Sequence, residues 1–538
     1  VGGLFTLGQL NLIDMNYNGG RRLGRQLLTR GIFEEFLVKV GSSAFDIERA
    51  RQVFEEMLAG EELLTVRLGQ ELEGPVANGD SIAALSLKDG GREYRVWGRV
   101  FVDASQDADL AYLAGVPFTY GYEDIGLPGR YMVSTLVFSL EGVSWPRVMW
   151  ENLVVDRRRS SAATFRTAWG YDQYIRRYRP ENERIGFRGF NMVRQSDGRV
   201  FINGLLIYDL NPVDRGARKA AAREAEEEIN RFVEFARENL PGFGRARVAG
   251  VAPELYVRQS RHMEALYRLS IDDVLGNRDF WDGIGYGSYP VDIQAMDKNL
   301  AGVIIGVPER YAVPFRSLVP PNAANLLVVG RSAGYDSLAH GSARVVPVGM
   351  VGGQAAGVAA AYALAEGVTF PEIARDEEAI AFIREMLSGQ GALVELPAVP
   401  ESERPEYYEA VVALRRLGLL TAGYDNEYRL EEPLPVQNYL NLLFHGTYRR
   451  LNLEGHGDLA GRIYYVMADR EGDVDGDNLA ELNALFYRYN RHLEAVLPPE
   501  AMAGIWRQRV EGDGAVSRGV LYDGIAEYLE AVGNHRGS

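Results

Sequence analysis

The stretch that most constrains the fold runs from Asn325 to Gly367, NLLVVGRSAGYDSLAHGSARVVPVGMVGGQAAGVAAAYALAEG. Asn325 to Val329 is a short apolar run rich in branched residues. It stops at Gly330, which predicts a strand buried on both faces. Further on, Gly349, Gly352 and Gly353 lead into QAAGVAAAYALA, an expected helix closed by Gly367. Glycines at a helix start let a ligand approach bare backbone N–H groups, where the helix dipole favours negative charge. Ala355, Ala356, Gly357 and Ala359 are small enough for the helix to lie close on a sheet. A plain α/β packing element is the alternative.

A chain of 538 residues exceeds what one core holds, so two to four domains are expected. The composition is 46% hydrophobic and 25% charged, as in ordinary globular proteins, with a net charge of −16. That balance argues against nucleic acid or an anionic membrane surface as a partner. No apolar run stands out at the ~20 residues a bilayer span needs, so no transmembrane segment is expected. Cysteine is absent, which removes disulfides, thiol relays and cysteinyl cluster ligation from this chain. Its absence leaves the compartment open.

The long segments VPFRSLVPPNAANLLVVGRSAG and LAHGSARVVPVGMVGGQAAGVAAA resemble the last flavin-contacting segment of FAD-dependent oxidoreductases of the glutathione-reductase-like class. Heterodisulfide reductase HdrA-like proteins are among those relatives. The resemblance implies an α/β fold: a Rossmann-like FAD-binding domain interrupted by an α+β substrate or cap domain. It also implies that VGGLFTLG follows a first βαβ unit carrying a GxGxxG turn. The chain is therefore expected to be a piece lacking that unit.

On this reading, residues 1–118 are the first part of the FAD-binding domain, 119–313 the cap domain and 314–388 the return segment. Residues 389–405, rich in Gly, Pro and Ser, form a linker, and 406–538 form a helical accessory domain. Leu63–Leu72, Ser81–Lys88 and Glu93–Trp97 read as a strand meander. It delivers the chain to a buried strand, Val100–Val102, and to VDASQDADLAYLAGVPF, where the family has a glycine-richer version. Gln106 and Ala108 stand in two glycine places, which lowers backbone freedom there. The cluster Asp103, Asp107 and Asp109 is read as a solvated turn with an Asp N-cap rather than a metal site. The AREAEEE run after Lys219 is read as a solvated helix face.

The resemblance implies these FAD-contacting positions: Gly2, Gly3, Thr6, Gln9, Asp103, Ala104, Ser105, Gly330, Arg331, Ser332, Gly352, Gly353, Gln354, Ala355 and Ala356. It also brings Arg258, Arg261, His262, His340 and Arg344 forward as catalytic candidates converging over one flavin face. Guanidiniums and imidazoles there suit an anionic or polyhydroxylated substrate and negative charge near flavin N1. The alternatives are a structural ion pair for the arginines and ordinary core histidines. The aromatic- and arginine-rich run Trp169–Phe190 either grips a substrate or covers a surface.

The expected function is hydride transfer between a small substrate and flavin N5, with an external electron acceptor or donor closing the cycle. No second GxGxxG unit is visible. The competing readings are a non-redox flavoenzyme and a surface or carbohydrate-associated interaction protein. The latter would act through the C-terminal region, where 406–444 resembles one surface-layer-homology-type repeat and GAVSRGVLYDGIAEYL the end of another. That region is also where surface or oligomer contacts are expected. GDVDGDNL resembles a calcium loop, but Asn478 and Ala484 replace its Gly and Glu, and no metal is expected.

Overall fold

The structure, a computed structural model, describes residues 1–19, 26–156, 161–298, 301–400, 404–453, 472–510 and 514–535. His456 and residues 401–403 of the expected linker lie outside them. The chain is mixed α/β.

The segment Leu326–Val328 is a strand, fully buried, paired in parallel with Phe101–Asp103. Asp103 thus belongs to the strand, one residue beyond the expected end. Among the described residues this parallel sheet has two strands. Asn325 fastens it to the neighbouring meander: its Oδ1 accepts from the Ile82 N–H, and its Nδ2 donates to the Ile82 and Arg99 carbonyls. The meander strands are Glu71–Asn78, Ser81–Asp89 and Arg92–Trp97. The expected first strand over Leu63–Leu72 is displaced. Residues 63–70 carry no strand, and Leu63, Leu64 and Leu68 stand exposed, without a sheet face to bury them.

The alanine-rich helix is Val346–Glu366, longer at its start than expected. Pro347 occupies its first turn, where a missing N–H costs nothing. Gly349, Gly352 and Gly353 therefore lie inside the helix and not at its start. Gly367 closes it in the left-handed region, φ 71°. Its 21 residues hold no charge before Glu366, and it is the one described helix long and apolar enough to cross a membrane. This corrects the expectation that no such run exists. Small Gly and Ala side chains disguise its length, and Ala355, Ala356, Ala359 and Ala363 bury it in the largest apolar core.

The middle of the chain builds a six-stranded antiparallel sheet. Its order is Arg247–Val251, Phe138–Glu141, Val200–Ile207, Ile185–Arg194, Thr167–Gly170 and Ala162–Ala163. Helix Arg215–Asn239 packs on it through Ala221, Ala225, Ile229, Phe232, Val233 and Ala236, spaced three and four apart on one stripe. Asp214 caps that helix by accepting from the Ala217 N–H. The acidic run is not wholly solvated. Glu228 turns inward, fully buried, and accepts from the Tyr178 hydroxyl and from Arg231.

Beyond residue 405, three helices, Val436–Leu451, Gly476–Asn490 and Arg518–His535, each follow a short extended segment. Those segments bridge one another: Pro433 to Ser517, Pro435 to Asp473, and Asp475 to Ala515. GDVDGDNL is thus the second of three equivalent helix starts. Asp475 accepts from the Asn478 N–H while Asn478 returns a side-chain acceptor to the Asp475 N–H, a capping box. This helical unit has its own apolar core and rests on the body. Arg415 (2.6 Å) and Arg416 grip the two oxygens of Asp272, and the Asn426 amide pairs twice with the Val307 backbone.

Candidate functional site

A cavity of about 420 Å³ opens where the two parallel strands end. Four stretches wall it: the N-terminal loop (Gly2, Leu4, Phe5, Leu10, Leu12 and Asp14), the turn Ala104–Gln106, Val329–Arg331, and the first turns of helix Val346–Glu366. Tyr256–Arg258, Arg344 and Ile32 complete it.

Local sequence explains each wall. Asp103 organises the turn after its strand: Oδ1 accepts from the Ser105 N–H (2.9 Å) and hydroxyl (2.6 Å), and Oδ2 accepts from the Ala111 N–H. Gly330 has φ 85°, and a Cβ there would meet nothing within 4 Å. Gly353 is equally open. Side chains at these two wall positions would project into space that the cavity uses. The helix start at Val345–Pro347 aims its positive end inward. Largely apolar walls, open glycines and a helix N-terminus suit a planar, anionic dinucleotide. Gly2, Ala104, Ser105, Gly330, Arg331, Gly353 and Gln354 are the residues that would hold FAD. The Gln354 Oε1 accepts from the Ile32 N–H at 3.1 Å, tying the helix to the start of helix Ile32–Val40.

Arg331 donates to Asp107 at 2.6 Å and to the Ser260 hydroxyl at 2.8 Å. Asp107 also accepts from Arg218 at 2.8 Å. Its carboxyl is held down to about 2; burial opposes this, and the Arg331 charge, with Ser260 and Arg218, overcomes it. Arg261 donates to Asp109 (3.0 Å) and to the Asp107 carbonyl. The Asp103, Asp107 and Asp109 cluster is therefore not a solvated turn. Two of its members are buried, and arginines from three separate segments neutralise Asp107 and Asp109.

A second, smaller cavity of about 80 Å³ abuts the first. The two share Leu10, Leu12, Asp14, Tyr256, Arg258 and Arg344 as a common wall. Its far side comes from the antiparallel sheet: Arg188, Asn191, Val193 and Asn203, with Tyr289, Asp292 and Gln294 beside them. One network links these groups. Arg188 donates to Gln294, Gln294 to Asp292 (2.7 Å), and Arg344 to Asp292 (3.4 Å) and to the Tyr256 hydroxyl (3.0 Å). The Tyr256 ring lies under Arg258 at 4.3 Å. Arg258 is 2% exposed, and the oxygens accepting its hydrogen bonds are neutral: Val133 carbonyl, Thr135 hydroxyl and Asn203 amide. Burial pushes its guanidinium down to about 10. Burial also raises Asp14, against the pull of Arg344 and a hydrogen bond with Tyr289.

Of the five catalytic candidates, Arg258 and Arg344 meet in this wall. Arg261, His262 and His340 line neither cavity. The two imidazoles pack edge to face, centroids 4.6 Å apart, both fully buried. Burial lowers both, so they are neutral. His262 Nε2 meets Gln259. Among the FAD positions, Gly3, Thr6, Asp103, Ser332, Gly352, Ala355 and Ala356 stand behind the cavity wall, and Gln9 lines the small cavity only. Thr6 donates to the Val1 carbonyl, and Ser332 to that of Gln106. The sequence reading missed Asp14, Tyr256, Tyr289 and Asp292. The signal for Asp14 was present: a lone carboxylate within the apolar run LNLIDM. From the Trp169–Phe190 run, Arg188 reaches the site, whereas Tyr178 serves the buried Glu228.

The family model of the FAD dependent oxidoreductases matches residues 1–387. No curated protein matches the chain. Among solved structures, the myxobacterial chondrochloren halogenase CndH, a variant of FAD-dependent halogenases, is 13% identical with a TM-score of 0.32. That match covers 70% of this chain and 64% of the halogenase. The flavin-dependent halogenase CmlS is 13% identical, TM-score 0.29, over 86% and 63%. A geranylgeranyl bacteriochlorophyll reductase-like protein from Thermoplasma acidophilum is 11% identical, TM-score 0.30, over 90% and 83%. The chain thus spans under two thirds of the length of both halogenases. The family match carries the assignment: this chain belongs to the FAD dependent oxidoreductase family, and its cofactor is FAD.

Proposed function

We propose that the protein is an oxidoreductase that exchanges a hydride between a small polar substrate and FAD. The observation that supports this best is the pairing of a large, mostly apolar cavity with a small polar one across a shared wall. FAD, when bound, supplies hydride chemistry at its N5. The chain's own residues do the rest. Gly330 and Gly353 leave room for the ring system, and the helix N-terminus at Val345–Pro347 favours negative charge beside it. Arg258 and Arg344 face the smaller cavity and orient an anionic or polyhydroxylated substrate. Apolar residues Leu10, Leu12 and Val137 keep bulk water from the junction.

The finer organisation belongs to the same proposal. We read residues 1–118 and 314–388 as a Rossmann-like FAD-binding domain of the glutathione-reductase-like class, with heterodisulfide reductase HdrA-like relatives. Residues 119–313 are the cap carrying the substrate wall. Residues 389–405 link to the accessory unit 406–538, whose threefold helix starts parallel a surface-layer-homology-like repeat. Electrons leave to, or arrive from, an external partner. The test is direct. Full-length protein is purified, its visible spectrum recorded, and small hydroxy and oxo compounds are screened anaerobically for flavin bleaching or reoxidation. A protein that holds flavin but exchanges no electrons with any of them would count against an oxidoreductase and favour a non-redox flavoenzyme.

A further inference from the structure

We infer that the smaller cavity is built for a small 2-hydroxy carboxylate or its 2-oxo partner, with Arg258 holding the carboxylate and Asp14 exchanging the hydroxyl proton. This rests on the flavin reading above and narrows its substrate class.

Three observations carry it. The first is charge. Arg188, Arg258 and Arg344 line the cavity against Asp14 and Asp292, which leaves one positive charge in excess when both carboxylates are ionised. Arg344 is matched to Asp292, but Arg258, though buried, has neutral hydrogen-bond partners. A buried guanidinium that faces a polar cavity and is hydrogen-bonded only to neutral oxygens is a place for one carboxylate. The second is size. At about 80 Å³ the cavity has room for roughly three waters' worth of ligand. In so small a space the carboxylate and the reacting carbon are neighbours, which sets the 2-position. The third is the place of Asp14, in the wall common to both cavities, where the reacting carbon must sit to face the flavin.

The groups acting on Asp14 are Arg344 and Arg258, which favour its charge, the Tyr289 phenol, which hydrogen-bonds to it, and Asp292, which opposes its charge. Burial outweighs the favourable ones, so Asp14 is more basic than an ordinary carboxylate, as a proton acceptor requires. With FAD bound, oxidation would remove the substrate carbon's hydrogen with its bonding electron pair, the flavin being the two-electron acceptor. The C–O bond becomes C=O, and the hydroxyl proton passes to Asp14. Reduction returns both.

The test uses the full-length, flavin-loaded protein, its flavin content fixed by absorbance before each titration. Oxamate and glycolate are the probes and propane-1,2-diol the neutral control, followed by calorimetry in two buffers of different ionisation enthalpy. Oxamate binds and the diol does not. Arg258→Met weakens oxamate roughly ten- to a hundredfold with flavin retained, and Arg258→Lys falls between. An anion arriving beside Asp14 raises its proton affinity, so wild type takes up protons on binding. Asp14→Asn binds oxamate within about threefold and takes up none, its charge being fixed. Equal affinity for diol and oxamate, equal affinity in every folded Arg258 variant, or proton uptake that survives Asp14→Asn would overturn the inference. A wild-type protein unable to hold flavin would instead overturn the flavin reading.

Discussion

Asp107 offers the most quantitative test of how the site is held together. Its carboxylate joins Arg331, at the edge of the larger cavity, to Arg218 on the long helix of the antiparallel-sheet region, and it is 4% exposed. Its pKa falls from an ordinary 3.8 to about 2 on folding. Each unit is worth about 1.4 kcal/mol, so the ionised form contributes about 2 kcal/mol of stability at neutral pH. Because the folded value is the lower one, this stability is complete above the unfolded value near 4. It is lost as pH falls through the folded value, and at pH 3 roughly half remains. Asp107→Asn keeps the shape and removes the charge. Urea unfolding followed by tryptophan fluorescence should show a deficit of about 2 kcal/mol at pH 7, shrinking to about 1 kcal/mol at pH 3. A deficit that stays constant with pH, or none at pH 7, would refute the reasoning.

His262, fully buried and lowered by that burial, binds a proton in the unfolded chain from its ordinary 6.5 downwards but not in the folded one. His262 should therefore cost up to about 1.4 kcal/mol of stability per pH unit below 6.5; His340, lowered likewise, adds its own share, and His262→Gln should remove one of the two. Gly330→Val places a branched side chain at positive φ and in the cavity; FAD occupancy should fall at least about tenfold while the far-ultraviolet circular dichroism stays native. Glutamyl endopeptidase should nick the linker at Glu401 or Glu403, because residues up to Pro397 are pinned by Tyr286, Arg310 and Arg384. The two pieces should stay together on gel filtration at low salt through the Asp272 clamp, and separation there would argue against that seat.

Local patterns that repeat along the chain were legible. Leu326–Val328 follows from a branched apolar run ended by glycine, and helix Val346–Glu366 from an alanine-rich run closed by Gly367. What was not legible depends on pairing between distant segments. Asp107 and Asp109 look solvated in sequence because their arginines lie 106 to 224 residues away. Asp14 becomes a site residue only when Tyr256, Tyr289 and Arg344 fold against it. His262 and His340 lie in flavin-proximal motifs yet face each other behind the wall, because side-chain direction is not written in a motif. Of the three helix starts of the C-terminal unit, two lie in the stretches that read as repeats, and the middle one was disguised as a cation loop.

The common wall between the two cavities limits how such a protein can diversify. Leu10, Leu12, Asp14, Tyr256, Arg258 and Arg344 serve both compartments, so a change at any of them perturbs both cavities together. Arg188, Asn191, Val193 and Asn203 touch the small compartment alone. They sit on two adjacent antiparallel strands in which Asn203 lies directly opposite Asn191. Backbone pairing holds those strands whatever side chains they carry. Changes confined to the smaller cavity are therefore most accessible to laboratory selection on that sheet face, with the larger cavity left as inherited.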